Sequence, residues 1–279
     1  MKKVLLTGLC VFAGVAALSA HDMFLKLETF FLKPHSPITV SLFNGTFDKS
    51  ENVITRDRMV EVSIVGPQTG RVHPDTSQWR ESGNTTWLDF KTGEEGTYVL
   101  GVSTKPKMIE LAAKDFNDYL EHDGVLDVLA ARKESNEPDK AVREMYSKHV
   151  KTIFQVGEKR SGAFKERLNY PIEIVPLQNP YTLKPGGLLE VLVLRDGNPV
   201  SNQLVYASYE GYHQHADTSG HVEAVKTRTD ENGLAQIKLS QAGKWYLRLI
   251  HMVPSNKDGV DYESNWTTLT FEIKAAARK

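Results

Sequence analysis

The sequence predicts a mainly β protein: two β-sandwich domains of the immunoglobulin or transthyretin kind, with a helical insertion between them. Three observations lead there. Short runs with period-two alternation, bounded by Gly, Pro, Asn or Asp, fill residues 21–106 and 170–275. Between them, in 107–157, apolar residues recur at helical spacing. The 279 residues are 40% hydrophobic and 25% charged, which is globular composition with enough chain for two cores.

The N-terminus is a separate element. Lys2 and Lys3 precede an almost unbroken run of apolar and small residues from Val4 to Leu18. Ser19 and Ala20 follow, then the polar pair His21-Asp22. This three-part layout predicts a secretory signal peptide over residues 1–20. The run is short for a membrane span, and no second run of about 18 apolar residues follows, so the mature chain is expected to lack a transmembrane span. Cleavage after Ala20 makes His21 the first mature residue. Cleavage after Ser19 is the alternative, because it sets the small Ala17 three positions before the cut, where Leu18 otherwise stands. Cys10 is the one cysteine and leaves with the leader, so no disulfide framework or zinc-cysteine cluster is available. The expected product is exported, soluble and periplasmic.

In residues 21–106, Ile38, Val40 and Leu42 alternate up to Asn44-Gly45, and Val60, Val62 and Ile64 up to Gly66-Pro67. Trp87 to Phe90 leads to Gly93, and Tyr98, Leu100 and Val102 alternate again. In residues 107–157, Ile109, Ala112, Phe116, Tyr119 and Leu120 predict one helix, broken by Gly124, with Val125–Arg132 a second. A third is expected to open at Pro138, with Val142, Met145, Tyr146, His149, Ile153 and Phe154 on one face and Gly157 at its end. Such stripes must cover a sheet or bridge the two β parts. Residues 158–169 are charged and aperiodic, which suits a linker. In 170–275, alternation recurs at Leu189–Val193, Val205–Tyr209, Trp245–Leu249 and Leu269–Ile273, with Asp230 to Gly233 read as a hairpin connection.

Charge and motifs narrow the function. Lys+Arg number 34 and Asp+Glu 35, so no basic excess exists for a nucleic-acid partner. No phosphate loop, G-x-S-x-G elbow or H-E-x-x-H helix occurs. Asp48-x-Ser50-x-Asn52 begins like a calcium loop, but Val53 stands where glycine is needed and Met59 where the bidentate acid belongs.

Histidine is the informative residue type: all nine lie beyond the leader. As the first residue, His21 can chelate one ion through its α-amine and Nδ1, a pairing that suits copper or nickel. His213 and His215 form an H-x-H pair, which on a strand faces one side. His221 follows six residues later. His251 ends a strand in register with Leu247 and Leu249 and is expected at the sandwich rim. The shared parity of Val205 to His215 and of Trp245 to His251 is compatible with one face, unless a bulge at Gly211 reverses it. His21, His213, His215 and His251 are therefore the candidate ligands for a divalent transition metal, in one joined site or two. The H-x-H of cupin barrels needs a glutamate where Ser219-Gly220 stand, so that fold is set aside. His149, on the apolar face of the third expected helix, reads as a satisfied core histidine.

A resemblance adds to this. Its motifs are His21-Asp22-Met23-Phe24-Leu25; Phe116-x-x-Tyr119-Leu120 with Asp123-Gly124-Val125; and Tyr146-x-x-x-Val150-Lys151 running to Val156-Gly157. Pro171 to Pro176, Asp196 to Val200, Thr229-Asp230-x-Asn232-Gly233, Gly243 to Arg248 with His251, and Glu263 to Phe271 continue the series. In this order they resemble the secreted bacterial DUF4198 family, related to nickel-uptake periplasmic components. The resemblance implies an exported, β-rich protein with a suspected role in metal handling, and the expected metal is nickel, cobalt or copper. Related nickel and cobalt permease components use a histidine near the mature N-terminus, and His21 matches that position. A transport role would then need a separate partner, a membrane metal transporter or an outer-membrane receptor. The expected function is non-enzymatic metal binding beside an uptake or homeostasis system. Two rivals stay open: a copper-dependent oxidative enzyme using an N-terminal His, and a metal-free adhesion or glycan-binding module.

Overall fold

A computed structural model describes residues 21–68, 70–212 and 224–275. Eight strands precede two helices: β1 (Asp22–Lys26), β2 (Phe31–Leu32), β3 (Pro37–Gly45), β4 (Met59–Val65), β5 (Trp79–Ser82), β6 (Thr85–Lys91), β7 (Gly96–Thr104) and β8 (Lys107–Leu111), then α1 (Ala113–His122) and α2 (Leu126–Glu134). Nine more follow: β9 (Val142–Val156), β10 (Ile172–Pro176), β11 (Leu188–Arg195), β12 (Asn198–Pro199), β13 (Leu204–Tyr209), β14 (Val225–Arg228), β15 (Leu234–Lys238), β16 (Gly243–Pro254) and β17 (Tyr262–Ile273).

The protein is mainly β, as the alternation predicts, and its sheets pack as sandwiches. One sheet runs β1-β3-β6-β5, and a second runs β10-β11-β12 with β15 also on β11. Both lie against a nine-stranded sheet that runs β14-β13-β16-β17-β9-β7-β4, with β2 and β8 also paired to β9. The large sheet thus takes strands from both β-rich halves of the chain. At its centre, β17 and β9 pair in parallel, Thr267 opposite His149 and Thr270 opposite Thr152.

These central strands are covered on both faces. On one, β1 lies across β17: the hydroxyls of Thr268 and Thr270 donate to the carbonyls of Met23 (2.7 Å) and Leu25 (2.6 Å). On the other, β10 brings Glu173 to Lys151 at 2.8 Å, and Tyr181 donates to the carbonyl of Ile153.

Double coverage corrects the third expected helix. Residues 142–156 form β9, fifteen residues long, and Ser147 to Val156 are all buried. A strand buried on both faces loses its period-two signature, and its apolar residues then mimic a helical stripe. The β-branched residues Val142, Val150, Thr152, Ile153 and Val156 were the contrary signal. Ile109 likewise belongs to strand β8, not to a helix.

The other two helices form where expected. From α1, Phe116, Tyr119 and Leu120 pack with Ile250, Met252 and Trp266 of the large sheet. Tyr119 stacks on Trp266, ring centroids 5.8 Å apart. The helices continue the cover that β1 begins on that face. Two further details differ from expectation. The Asp230 to Gly233 turn is not a hairpin: it carries the chain from β14 in the large sheet to β15 in the β10-β11 sheet. Asp230 shapes it by accepting from the amides of Asn232 (2.8 Å) and Leu234 (2.9 Å). The aperiodic 158–169 segment is also anchored, since Ala163 and Leu168 are buried in the main core.

Candidate functional site

His21 stands immediately before β1, where Asp22 pairs with Gly45 and Met23 with Asn44. Beyond Gly45 the chain turns back on itself. The amide of Thr46 donates to the carbonyl of Lys49 (3.0 Å), and the amide of Glu51 to that of Asn44 (2.9 Å). Glycine is required at 45, because a Cβ there would lie 2.4 Å from the Lys49 carbonyl oxygen and 3.0 Å from the Glu51 nitrogen. The returning loop brings the Glu51 carboxylate onto Nε2 of His21. The His21 side chain is 16% exposed and that of Glu51 is 41% exposed, so the pair sits at the mouth of the site.

Beneath them is a buried charge. The ammonium of Lys148, on β9, donates to the carbonyl of His21 and to Oδ1 of Asn44 (2.6 Å). It lies 5.4 Å from the ring centroid of Trp266. Burial pulls its pKa down to about 8, against the opposing pull of Asp22 and Asp123. Asp22 is buried and faces Arg248 at 3.4 Å, and Arg248 donates to the carbonyl of Asp123 (3.0 Å). Deeper still, Tyr119 (3.2 Å) and Ser264 donate to Glu144, whose carboxyl is pushed up to about 7 by burial.

A cavity of about 60 Å³ is lined by Asp22, Phe24, Thr46, Phe47, Asp48, Tyr209, Tyr212 and Tyr246. Tyr212 enters it because β13 stops at Tyr209. Gly211 has φ +76°, and the Tyr212 amide turns back to the Tyr209 carbonyl (3.0 Å). That turn ends the parity of β13 at Tyr209. His213, His215 and His221 lie outside the described residues.

His251 is held elsewhere. Its Nδ1 bonds Oε1 of Gln203 (3.0 Å), and its strand partner is Asn265. Burial lowers its pKa. Asn265 also bonds Nε2 of His149 (3.1 Å), which in turn contacts Ser147 and Ser103. His149 is thus a buried, hydrogen-bonded core histidine, though on a strand. Successive strand residues face opposite sides. Lys148, Trp266 and Ile250 face β1 and His21, whereas His149, Asn265 and His251 face the other way. His21 and His251 are therefore separated by the large sheet. A site that joins His21 with His251 is not formed by this arrangement of the strands. Among the described residues, no group of three or more His, Cys, Asp or Glu is placed to hold a metal ion.

Sequence reasoning passed over Glu51, Lys148 and Asn44. Glu51 lies inside the acidic loop dismissed as a calcium site, and Lys148 was hidden by the helical reading of β9. A lysine within a run that is otherwise buried was the available signal.

Among the described residues, no helix is long and apolar enough to cross a membrane. No curated protein matches the chain. Similar solved structures include a chimeric titin Z1Z2 tandem, at 10% identity and TM-score 0.22, covering 91% of this chain and 100% of that one. The D0-D1 domain of intimin is 12% identical at TM-score 0.19, covering 90% and 97%. The Yersinia pseudotuberculosis adhesin InvE is 11% identical at TM-score 0.24, covering 90% and 60%. These likenesses are loose, and the sandwich description rests on the strand pairing itself. A family model described as a domain of unknown function, DUF4198, matches residues 18–253. The chain belongs to the DUF4198 family.

Proposed function

We propose that the protein is an exported, periplasmic metal-binding protein that takes nickel, cobalt or copper at its N-terminal histidine and serves a metal uptake or homeostasis system. The observation that supports this most is convergence. His21, first in the mature chain after cleavage at Ala20, is gripped by Glu51 and Lys148. Tyr212, the residue before the His213-x-His215 pair, lines the cavity that Asp22 also lines. An α-amine and one imidazole supply two nitrogens, and a stable site takes three or four ligands. The His213-x-His215 pair, which directly follows Tyr212 in sequence, is the proposed source of the remainder.

Equilibrium dialysis of the mature protein against nickel, cobalt and copper tests this. His21→Ala and His213→Ala should each weaken the same binding event by tenfold or more. Binding at wild-type affinity after loss of His21, His213 and His215 together would sink the assignment. No binding of any of the three ions would favour the metal-free module. Peroxide release from the copper-loaded protein with a reductant would favour the oxidative enzyme.

A further inference from the structure

β3 is longer than the strand that covers it. One edge pairs with β1, from Gly45 down to Ser41 opposite Lys26. The other edge pairs with β6 and runs further, down to Pro37 opposite Lys91. Past Lys26 the chain leaves this sheet: Leu27 enters the core, and β2 joins β9. Among the described residues, no strand takes the place of β1 beside Pro37 to Val40. A cavity of about 850 Å³ opens there, lined by Leu27, Pro37, Ile38 and Thr39 among others. Ligand sites span about 300–1,000 Å³.

The register fixes which main-chain groups face that cavity. Successive residues of a strand turn their N–H and C=O to opposite edges. Asn44 turns its own away from β1: its amide donates to Ser50 at 3.0 Å, and its carbonyl accepts from the Glu51 amide at 2.9 Å. The Ser36 carbonyl accepts from the Thr92 amide, just past the end of β6, at 2.9 Å. Counting by twos between them, Ile38, Val40 and Leu42 face β6, whereas Pro37, Thr39, Ser41 and Phe43 face the β1 edge. Ser41 and Phe43 meet β1 there. The N–H and C=O of Thr39 and the C=O of Pro37 lie beyond its end.

The walls alternate as a strand would require. Ile38 and Phe90, opposite one another, are half-buried against the core and with Leu27 and Leu32 form an apolar side. Thr39 and Asp89, the next pair, stand on the other face, where Asp89 accepts from the Thr39 hydroxyl. Two exposed charges also line the cavity. Glu28 enters at the Ser41 end, two residues past Lys26, and Lys91 lies opposite Pro37.

We propose that this open edge of β3 binds an extended segment of another polypeptide, which adds as an antiparallel strand in continuation of β1. The residue opposite Thr39 exchanges both main-chain bonds with it, and the side chain opposite Ile38 faces the apolar wall. A strand running in the direction of β1 passes Glu28 first and Lys91 last, so a basic residue followed two positions later by an acidic one complements the two charges. In this mode main-chain bonds give affinity and the alternating walls give selection. The site is independent of the metal reading.

The test titrates ¹⁵N-labelled mature protein with the peptide Ac-Lys-Val-Glu-Val-NH2. In the free protein the Thr39 amide should exchange with solvent quickly and the Phe43 amide slowly. The peptide should give saturable shifts centred on Thr39 and slow its exchange. N-methylation of the peptide's Lys and Glu removes the donors aimed at Thr39 and Pro37 and should weaken binding tenfold or more. N-methylation of both valines, whose amides face outward, should change it less than threefold. Ac-Glu-Val-Lys-Val-NH2 should bind more weakly than the parent. Thr39→Pro deletes the donor on an edge, where proline is tolerated, and should abolish binding, whereas Thr39→Val keeps the donor and should bind. If Thr39→Pro does not fold, the two N-methylated peptides decide alone. No saturable shift at Thr39, or equal binding of both N-methylated peptides, would overturn the proposal. A concentration-dependent dimer that protects the Thr39 amide would give the edge to a second copy of this chain and overturn it as well.

Discussion

Two lysines three residues apart on β9 have opposite fates. Lys151 faces β10 and meets Glu173 at 2.8 Å, with both side chains 3% exposed. Glu173 also accepts from the amides of Leu168 (2.9 Å) and Tyr170 (3.0 Å). Every bond of that pair ends inside the fold. Lys148 faces β1, and it bonds a neutral amide and the carbonyl of His21. Both ammonium groups are costly to bury. One is neutralised where it lies, as a structural group would be. The other holds His21, and that difference separates the closed pair from the candidate site on a single strand.

The largest expected effect tests the closed pair. Glu173→Ala leaves the Lys151 charge buried without its carboxylate and should cost about 3–5 kcal/mol in urea unfolding. Replacing both, Lys151→Met with Glu173→Leu, should cost far less, since no charge is left stranded. Metal affinity of the folded double variant should match wild type. A large loss of affinity there would show that the two faces of β9 are coupled and would break the contrast.

How much of this was legible in the sequence follows from coverage. Strands buried on one face, such as β3 with Val40 and Leu42 inward, show period two and were read correctly. So was α1, whose Phe116, Tyr119 and Leu120 lie on one side. β9 was not, because being buried on both sides erases the period. Its misreading also hid the continuity of the large sheet, which no local pattern encodes. At the candidate site, His21 was legible because it directly follows the apolar run Val4 to Leu18 and the small pair Ser19-Ala20. Glu51 was not, because it reaches His21 only through the Gly45 turn, and a contact thirty residues away leaves no spacing signature.

The same two faces should titrate with opposite sign. Glu144, on the Lys148 side, is pushed up to about 7 by burial. Its native pKa exceeds its unfolded value, so its contribution to stability is complete below about pH 4.5 and lost as pH rises toward 7. His149, on the Lys151 side, is pulled down to about 4 by burial. Its contribution is complete above about pH 6.5 and lost as pH falls toward 4. Between these limits the two slopes oppose. Relative to wild type, Glu144→Gln should therefore gain stability as pH rises from 4.5 to 7. His149→Gln should lose it from 4 to 6.5. Each difference is bounded by about 1.4 kcal/mol per pH unit, the value for one proton. Urea midpoints measured every half unit would show it, and slopes of the same sign for both variants would contradict burial as the common cause of the two shifts.

The smallest expected effect removes burial from the comparison. Arg228 on β14 grips Asp127 on α2 through two parallel bonds of 2.8 and 2.7 Å, a better geometry than the single contact of Lys151 with Glu173. Yet the side chains are 37% and 62% exposed. Water can replace either partner, and salt screens what remains. Asp127→Asn should thus cost under about 1 kcal/mol in dilute buffer and close to nothing at 1 M salt. Glu173→Ala should keep its full cost at both salt concentrations, because its stranded charge lies where ions do not reach. If Asp127→Asn instead matched Glu173→Ala and ignored salt, bond geometry rather than burial would govern these pairs. The division of β9 into a closed face and a site-bearing face would then lose its physical basis.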